Sequence, residues 1–238
     1  MSELLIQSGT LTDIADAIRA KTGGSASMTP SEMVTAIGNI SGSEEWVEAL
    51  STIKMSDNYS YGNTITINLP QYITTLANLF NRLRTNSNRA LVIKQHTSGA
   101  NITSLNAMCG SSYFGDITLN LDSSHATTFE SAFQGVNPSN IYGTPIDFSS
   151  VSAARGVQNM FYNASRLQEV RFAAGTLSYS LSLSSSSALT TDSLASIVAG
   201  LKDMTGQTAQ TLTLHATPKA LLTAEQIATI TAKNWTLA

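Results

Sequence analysis

A five-residue phrase returns four times in the middle of this 238-residue chain. It reads Leu76-Ala77-Asn78-Leu79-Phe80, Leu105-Asn106-Ala107-Met108-Cys109, Phe129-Glu130-Ser131-Ala132-Phe133 and Val157-Gln158-Asn159-Met160-Phe161. After a polar stretch, each copy is followed by a short strand-like run, at 90–93, 117–121, 146–149 and 170–172. The phrases recur at roughly 24 to 29 residues, within the period range of stacked repeats. A unit this small cannot bury its apolar face alone, so neighbouring copies must stack and present one long, nearly flat surface. Such a surface suits binding or building more than catalysis.

The composition agrees with a packed but weakly charged molecule. Hydrophobic residues make up 42%, enough for a core, and the mean hydropathy of +0.03 argues against a disordered chain. Charged residues are only 12%, about half the usual share, and Ser and Thr fill roughly a quarter of the chain. Hydroxyls wet a surface without creating a field. A net charge of −3 gives no electrostatic footprint for nucleic acid or an anionic membrane. The single Cys109 excludes an internal disulfide framework and, lying inside a phrase, reads as a small buried hydrophobe. No stretch approaches the roughly 18 apolar residues of a membrane span. Met1-Ser2-Glu3-Leu4-Leu5-Ile6 has neither a basic region nor a long apolar run, so synthesis in the cytoplasm without a signal peptide is expected.

Four segments are expected. Residues 1–40 read as a helical hairpin. Leu11, Ile14 and Ile18 share one helix face and Gly23-Gly24 stop that helix. Thr29, Pro30 and Glu32 then open a second helix, with Met33 and Ile37 on its apolar side. Helices so short are marginal alone, so the hairpin must dock, and Leu11, Ile14, Ile18, Met33 and Ile37 are the candidate attachment residues. Residues 41–63 read as a linker, and the strand at 64–69 opens the repeat region, 64–175. The final segment, 176–238, reads as the last repeat and its cap. It holds a helix started by Thr191 or Asp192 and ended near Gly206, then a strand at 211–214. A helix with a capping box at Thr223, Ile227 and Ile230 inward, and a last strand at 235–237 complete it.

Chemistry-bearing constellations are scarce. His96, His125 and His215 stand apart from any ligand at metal-binding spacing, no cofactor is expected, and no glycine-rich phosphate loop or Gly-x-Ser-x-Gly elbow occurs. Asp116, Asp122, Glu130 and Asp147 lie in or beside the repeats, where a convergent pair could cleave glycans; with no aromatic platform beside them, they read as surface acids. Phe80, Phe133 and Phe161 recur at equivalent positions and belong in the core. Tyrosines set among Ser, Gly and Asn resemble recognition surfaces, and Tyr113 and Tyr142, in inter-phrase loops, are the candidate binding residues.

The phrases ending Asn-Met-Phe or Ala-Phe, with short strands such as Ile146-Asp147-Phe148-Ser149, resemble the leucine-rich repeats of bacterial surface proteins of the BspA type, over about 74–172. The stretch 11–23 with Met28-Thr29-Pro30-Ser31-Glu32-Met33 is similar to an opening module of structural proteins from phages and prophages of Gram-positive bacteria. The ending, with Leu222-Thr223-Ala224-Glu225-Gln226 and Lys233-Asn234-Trp235-Thr236-Leu237, is similar to the C-terminus of phage-encoded leucine-rich-repeat proteins. These resemblances imply an α+β chain: an N-terminal helical hairpin, a short leucine-rich-repeat-type solenoid and a C-terminal α/β cap. They imply a non-enzymatic virion protein of the tail, baseplate or fibre, attached to other virion proteins by the hairpin. A homo-oligomer such as a trimer is expected, facing a host cell-surface glycan or protein, with no nucleic acid and no membrane insertion. A capsid head fibre or decoration protein is the nearest alternative. A virion-associated glycan hydrolase is the alternative from another class.

Overall fold

The computed structural model describes residue 16, 64–81, 90–112, 114–135 and 139–238. The chain divides into two compact units, Met1–Lys54 and Met55–Ala238. Of the first unit only Asp16, in a helix, is described. The expected hairpin, with Leu11, Ile14, Ile18, Met33 and Ile37, therefore lies outside the described residues, as does the linker.

The second unit is built on parallel strands. β1 (Ile65–Asn68), β2 (Leu91–Lys94), β3 (Asp116–Asn120) and β4 (Asn140–Gly143) form a four-stranded sheet in sequence order. β5 (Leu181–Leu183), β6 (Gln210–Leu214) and β7 (Trp235–Leu237) form a second parallel sheet, again in order. Parallel neighbours need long crossovers, which the phrases supply. In the second unit three α-helices are described, all late: α1 (Thr191–Gly200), α2 (Ala216–Lys219) and α3 (Ala224–Ala232).

This corrects the expected fold class. The α+β leucine-rich-repeat solenoid is replaced by a parallel-sheet architecture in which the described residues between the first four strands are turns, isolated bridges and coil, and a short 3₁₀ turn, Ala154–Val157, follows β4. The physical reason lies in the third residue of every phrase. Asn78, Ala107, Ser131 and Asn159 all sit at φ between 48° and 59°. A left-handed residue ends a helix, and the phrase closes as consecutive tight turns instead. The N–H of Leu79, Met108, Ala132 and Met160 donates three residues back, to Leu76, Leu105, Phe129 and Val157, at 3.0–3.3 Å.

The first, third and fifth donors of the first three phrases point to the next copy. The N–H groups of Leu76, Asn78 and Phe80 donate to the carbonyls of Ser104, Asn106 and Met108. Leu105, Ala107 and Cys109 donate to Thr128, Glu130 and Ala132; Phe129, Ser131 and Phe133 donate to Gly156, Gln158 and Met160. A hydroxyl just ahead of the phrase takes the second N–H: Thr75 from Ala77, Ser104 from Asn106 and Thr128 from Glu130, at 3.2–3.3 Å. Gly156 holds this place in the fourth copy. A Cβ there would lie 2.7 Å from Val151 Cγ1 and 2.9 Å from the Thr127 carbonyl, so no hydroxyl side chain fits.

Phrase positions one and five fill the core. Leu76, Leu105, Phe129 and Val157 are buried, as are Phe80, Cys109, Phe133 and Phe161. Phe133 and Phe161 stack at 5.7 Å between ring centroids, and Phe161 stacks on Phe172 at 6.3 Å. Cys109 breaks the aromatic column, and Phe114 packs edge-on against Phe80 at 5.6 Å. The thiol is fully buried, which pushes its pKa well above the usual range; the nearby Ser112 hydroxyl donates to the Cys109 carbonyl at 2.6 Å.

Several local expectations shift. The strand after the third phrase is β4 at Asn140–Gly143, inside a stretch read as a polar loop, while the 146–149 run contributes only a bridge from Ile146 to Phe172. α1 is capped by Thr190, whose hydroxyl accepts from Ser193 N–H, and ends at Gly200 rather than near Gly206. Gly200 packs on Phe172, where a Cβ would come within 2.6 Å of the Phe172 Cβ. The Thr223 capping box forms with Gln226. On α3, Ile230 is buried but Ile227 is 42% exposed, because the helix touches its neighbours along one narrow stripe. Lys233 closes the other end of α1, donating from Nζ to the carbonyls of Leu201 at 2.7 Å, Val198 at 3.1 Å and Ala199 at 3.4 Å.

Candidate binding surface

Strand pleating sends alternate residues of the four-stranded sheet outward. Ile65, Leu91, Ile117 and Ile141 face inward in register, as do Ile67, Ile93 and Leu119. The outward row runs Thr66, Val92, Thr118 and Tyr142, and beside it lie Asn68, Lys94 and Asn120. Asp116 and Asn140 form the next outward pair, with Asn140 Nδ2 donating to Asp116 Oδ1 at 2.9 Å. The result is a face of mainly hydroxyls and amides, with Val92, Tyr142, one lysine and one aspartate, on strands about 4.8 Å apart.

Tyr142 ends this row on β4, with 41% of its surface exposed. Its position is held by the next residue. Gly143 has φ +98° and lies opposite Leu119, where a Cβ would sit 2.7 Å from the Leu119 carbonyl carbon and nearer still to its oxygen. Only glycine permits that approach, and Thr144 N–H then bonds the same Leu119 carbonyl at 2.8 Å. Tyr113, the other candidate, lies outside the described residues.

A second polar surface follows the turns of the phrases. Asn81, Asn106, Gly110, Ser131, Gln134, Glu130 and Arg155 border a shallow groove of about 390 Å³. Arg155 Nε donates to Glu130 Oε2 at 3.0 Å, tying the third copy to the segment leading into the fourth. Tyr162, at the far end of the fourth phrase, is 53% exposed and was not singled out by its sequence. The signal was present in the repeat register. Tyr162 directly follows the buried Phe161, so it falls on the solvent side of the turn.

The carboxylates weighed for glycan cleavage are each engaged locally. Asp116 bonds Asn140 and Glu130 bonds Arg155. Asp122 and Asp147 each accept the N–H two residues on, from Ser124 at 2.9 Å and Ser149 at 2.8 Å. The Ser124 hydrogen bonds hold the Asp122 carboxyl below its ordinary pKa, with a smaller contribution from His125 in the same direction. Asp203 is lowered in the same way by Thr205. His96 and His215 serve turns, their Nδ1 atoms accepting from Ser98 and Thr217. Among the described residues, no group of three or more His, Cys, Asp or Glu side chains could hold a metal ion. No helix among them is long and apolar enough to cross a membrane.

Comparison with family models, with curated proteins and with solved structures finds no match to this chain.

Proposed function

We propose that this chain is a non-enzymatic structural protein of a bacteriophage particle, and that it displays its outer sheet face to the host cell surface. The observation that carries the binding half is the row Thr66, Val92, Thr118 and Tyr142, bordered by Asn68 and Asn120. Short hydroxyls and amides around an exposed tyrosine suit a surface rich in hydroxyl groups, such as cell-wall carbohydrate, because they exchange hydrogen bonds without a strong field. The phage half rests on the terminal sequences, whose 11–33 and 222–237 segments resemble those of phage structural proteins. In this reading residues 1–40 attach the chain to other virion proteins through Leu11, Ile14, Ile18, Met33 and Ile37.

Two measurements test it. Cryo-electron microscopy and mass spectrometry of purified particles should find the chain in the virion, with its N-terminal unit against neighbouring proteins. Its absence from the particle refutes the structural role. The full chain should bind host cells, and Tyr142→Ser should weaken binding roughly tenfold, the cost of one anchoring tyrosine. Unchanged binding by a folded Tyr142→Ser variant removes this face as the contact.

A further inference from the structure

Several hydroxyls in the second unit are consumed by the stack. Thr103 and Thr127 donate to the carbonyls of Thr74 and Thr103, Ser186 to Ala164, and Ser193 to Val170. One open cleft leaves such groups unspent. It lies beside the second sheet, bordered by residues from the 149–151, 175–179 and 202–210 segments, and measures about 710 Å³, within the size range of small-ligand sites. Its walls carry Ser178, Tyr179, Lys202, Gln207 and Thr208, whose side-chain polar atoms make no hydrogen bond to the described residues.

The frame behind these groups is fixed. Thr176 Oγ1 donates to the Ala173 carbonyl at 2.9 Å and accepts Phe148 N–H at 3.2 Å. Gln210 Oε1 accepts both the N–H and the hydroxyl of Ser180, at 2.9 and 3.0 Å, and its Nε2 donates to Thr208 O at 3.1 Å. Trp235 Nε1 donates to the Lys202 carbonyl at 2.8 Å, and Asn234 Nδ2 bonds the Met204 and Gln207 carbonyls at 3.1 and 2.9 Å. Val151 and Met204 are buried and supply an apolar floor. Gly175 and Gly206 turn the two rims at φ +68° and +76°, and neither has a neighbour within 4 Å of where a Cβ would stand, so the rims stay open.

We infer that this cleft binds a short oligosaccharide. A sugar presents hydroxyls that both donate and accept, together with apolar C–H surface. Ser178, Thr208 and the Gln207 amide match the first property and Tyr179, Met204 and Val151 the second. A rigid frame with unspent polar ends lowers the ordering cost of binding. The site is separate from Tyr142, and its existence does not depend on the chain residing in a virion.

The test is an NMR titration of the full chain with chitotriose, cellotriose and maltotriose. At least one should give saturable shifts at Gly175, Gly206, Gln207 and Thr208, with a dissociation constant in the millimolar range or tighter. Gln207 and Thr208 are exposed, so Gln207→Ala and Thr208→Ala should keep the wild-type spectrum elsewhere and weaken binding roughly tenfold together. Tyr142→Ser should leave these shifts intact, which separates this site from the sheet face. No saturable shift with any of the three sugars overturns the inference, and so does binding that the paired alanines leave unchanged.

Discussion

Replacing Gly143 by alanine is the sharpest test of how β4 meets β3. Two costs add. The backbone at φ +98° is a region that side chains avoid, a penalty of about 1–3 kcal/mol. The new Cβ also falls against the Leu119 carbonyl, at 2.7 Å from its carbon, and backbone cannot swing aside as a flexible side chain does. Overpacking of this kind costs a further 1–3 kcal/mol or so. Reduced unfolded-state entropy returns about 0.4–1 kcal/mol, leaving a net loss of roughly 3 kcal/mol. For a protein of this size that lowers the melting temperature by about 6–12 °C. Gly175→Ala and Gly206→Ala are the controls: they share the positive φ, but their Cβ positions are open, so each should lose only about 1 kcal/mol. Urea denaturation followed by circular dichroism, with unchanged m-values, reads all three. If Gly143→Ala is no worse than Gly175→Ala, the close approach of β4 to the Leu119 carbonyl is wrong, and so is the account of how Tyr142 is held.

Other expectations follow from the same contacts. Lys233→Met removes the ammonium that serves three carbonyls at the end of α1, and should cost about 1.5–3 kcal/mol in the same denaturation assay. Phe133→Ala opens a hole against the Phe161 ring and should cost about 3–5 kcal/mol, read as a fall in melting temperature. Cys109, buried with its thiol pKa raised, should resist a thiol reagent such as Ellman's at neutral pH and react at the rate of unfolding; rapid native labelling contradicts the packing. The hydrogen bonds to Ser124 and Thr205 hold the Asp122 and Asp203 carboxyls below their ordinary pKa, so their contribution is present above the ordinary carboxyl range and is lost as acid carries the pH down through the lowered folded values. Asp122→Asn with Asp203→Asn should therefore flatten the acid limb of a stability–pH profile, and a limb as steep as wild type's contradicts the assignment.

The fold class was not legible, but parts of the core were, because repetition is a strong signal. Phe80, Phe133 and Phe161 announced themselves as core by recurring at equivalent positions, and Thr223 with Gln226 announced α3. The conformation of the phrase itself was not legible. Leu-Asn-Ala-Met-Cys reads as helix by composition, and nothing local states that Ala107 adopts φ 48°. The neighbouring copies decide it, since a left-handed third residue turns alternate N–H groups toward the next carbonyls, and that pairing outweighs a local preference of about 1–2 kcal/mol. β4 escaped for a similar reason: Asn140-Ile141-Tyr142-Gly143 has a single inward apolar residue, and its pairing with β3 supplies the rest. Tyr142, named from its surroundings in sequence as a loop residue, lies exposed on β4. The cleft between 149 and 210 was not legible, because it joins segments far apart in the chain.

The ladder between phrases has a direction: each of the first three copies gives N–H groups to the carbonyls of the one after it, at matching positions. A whole copy inserted between two others would meet the same acceptors above and the same donors below, leaving no group stranded. An insertion of a fraction of a copy would misalign every donor at once. Length in this protein is therefore quantised, and a lineage carrying it can lengthen or shorten its reach in whole-repeat steps while the end structures stay unchanged.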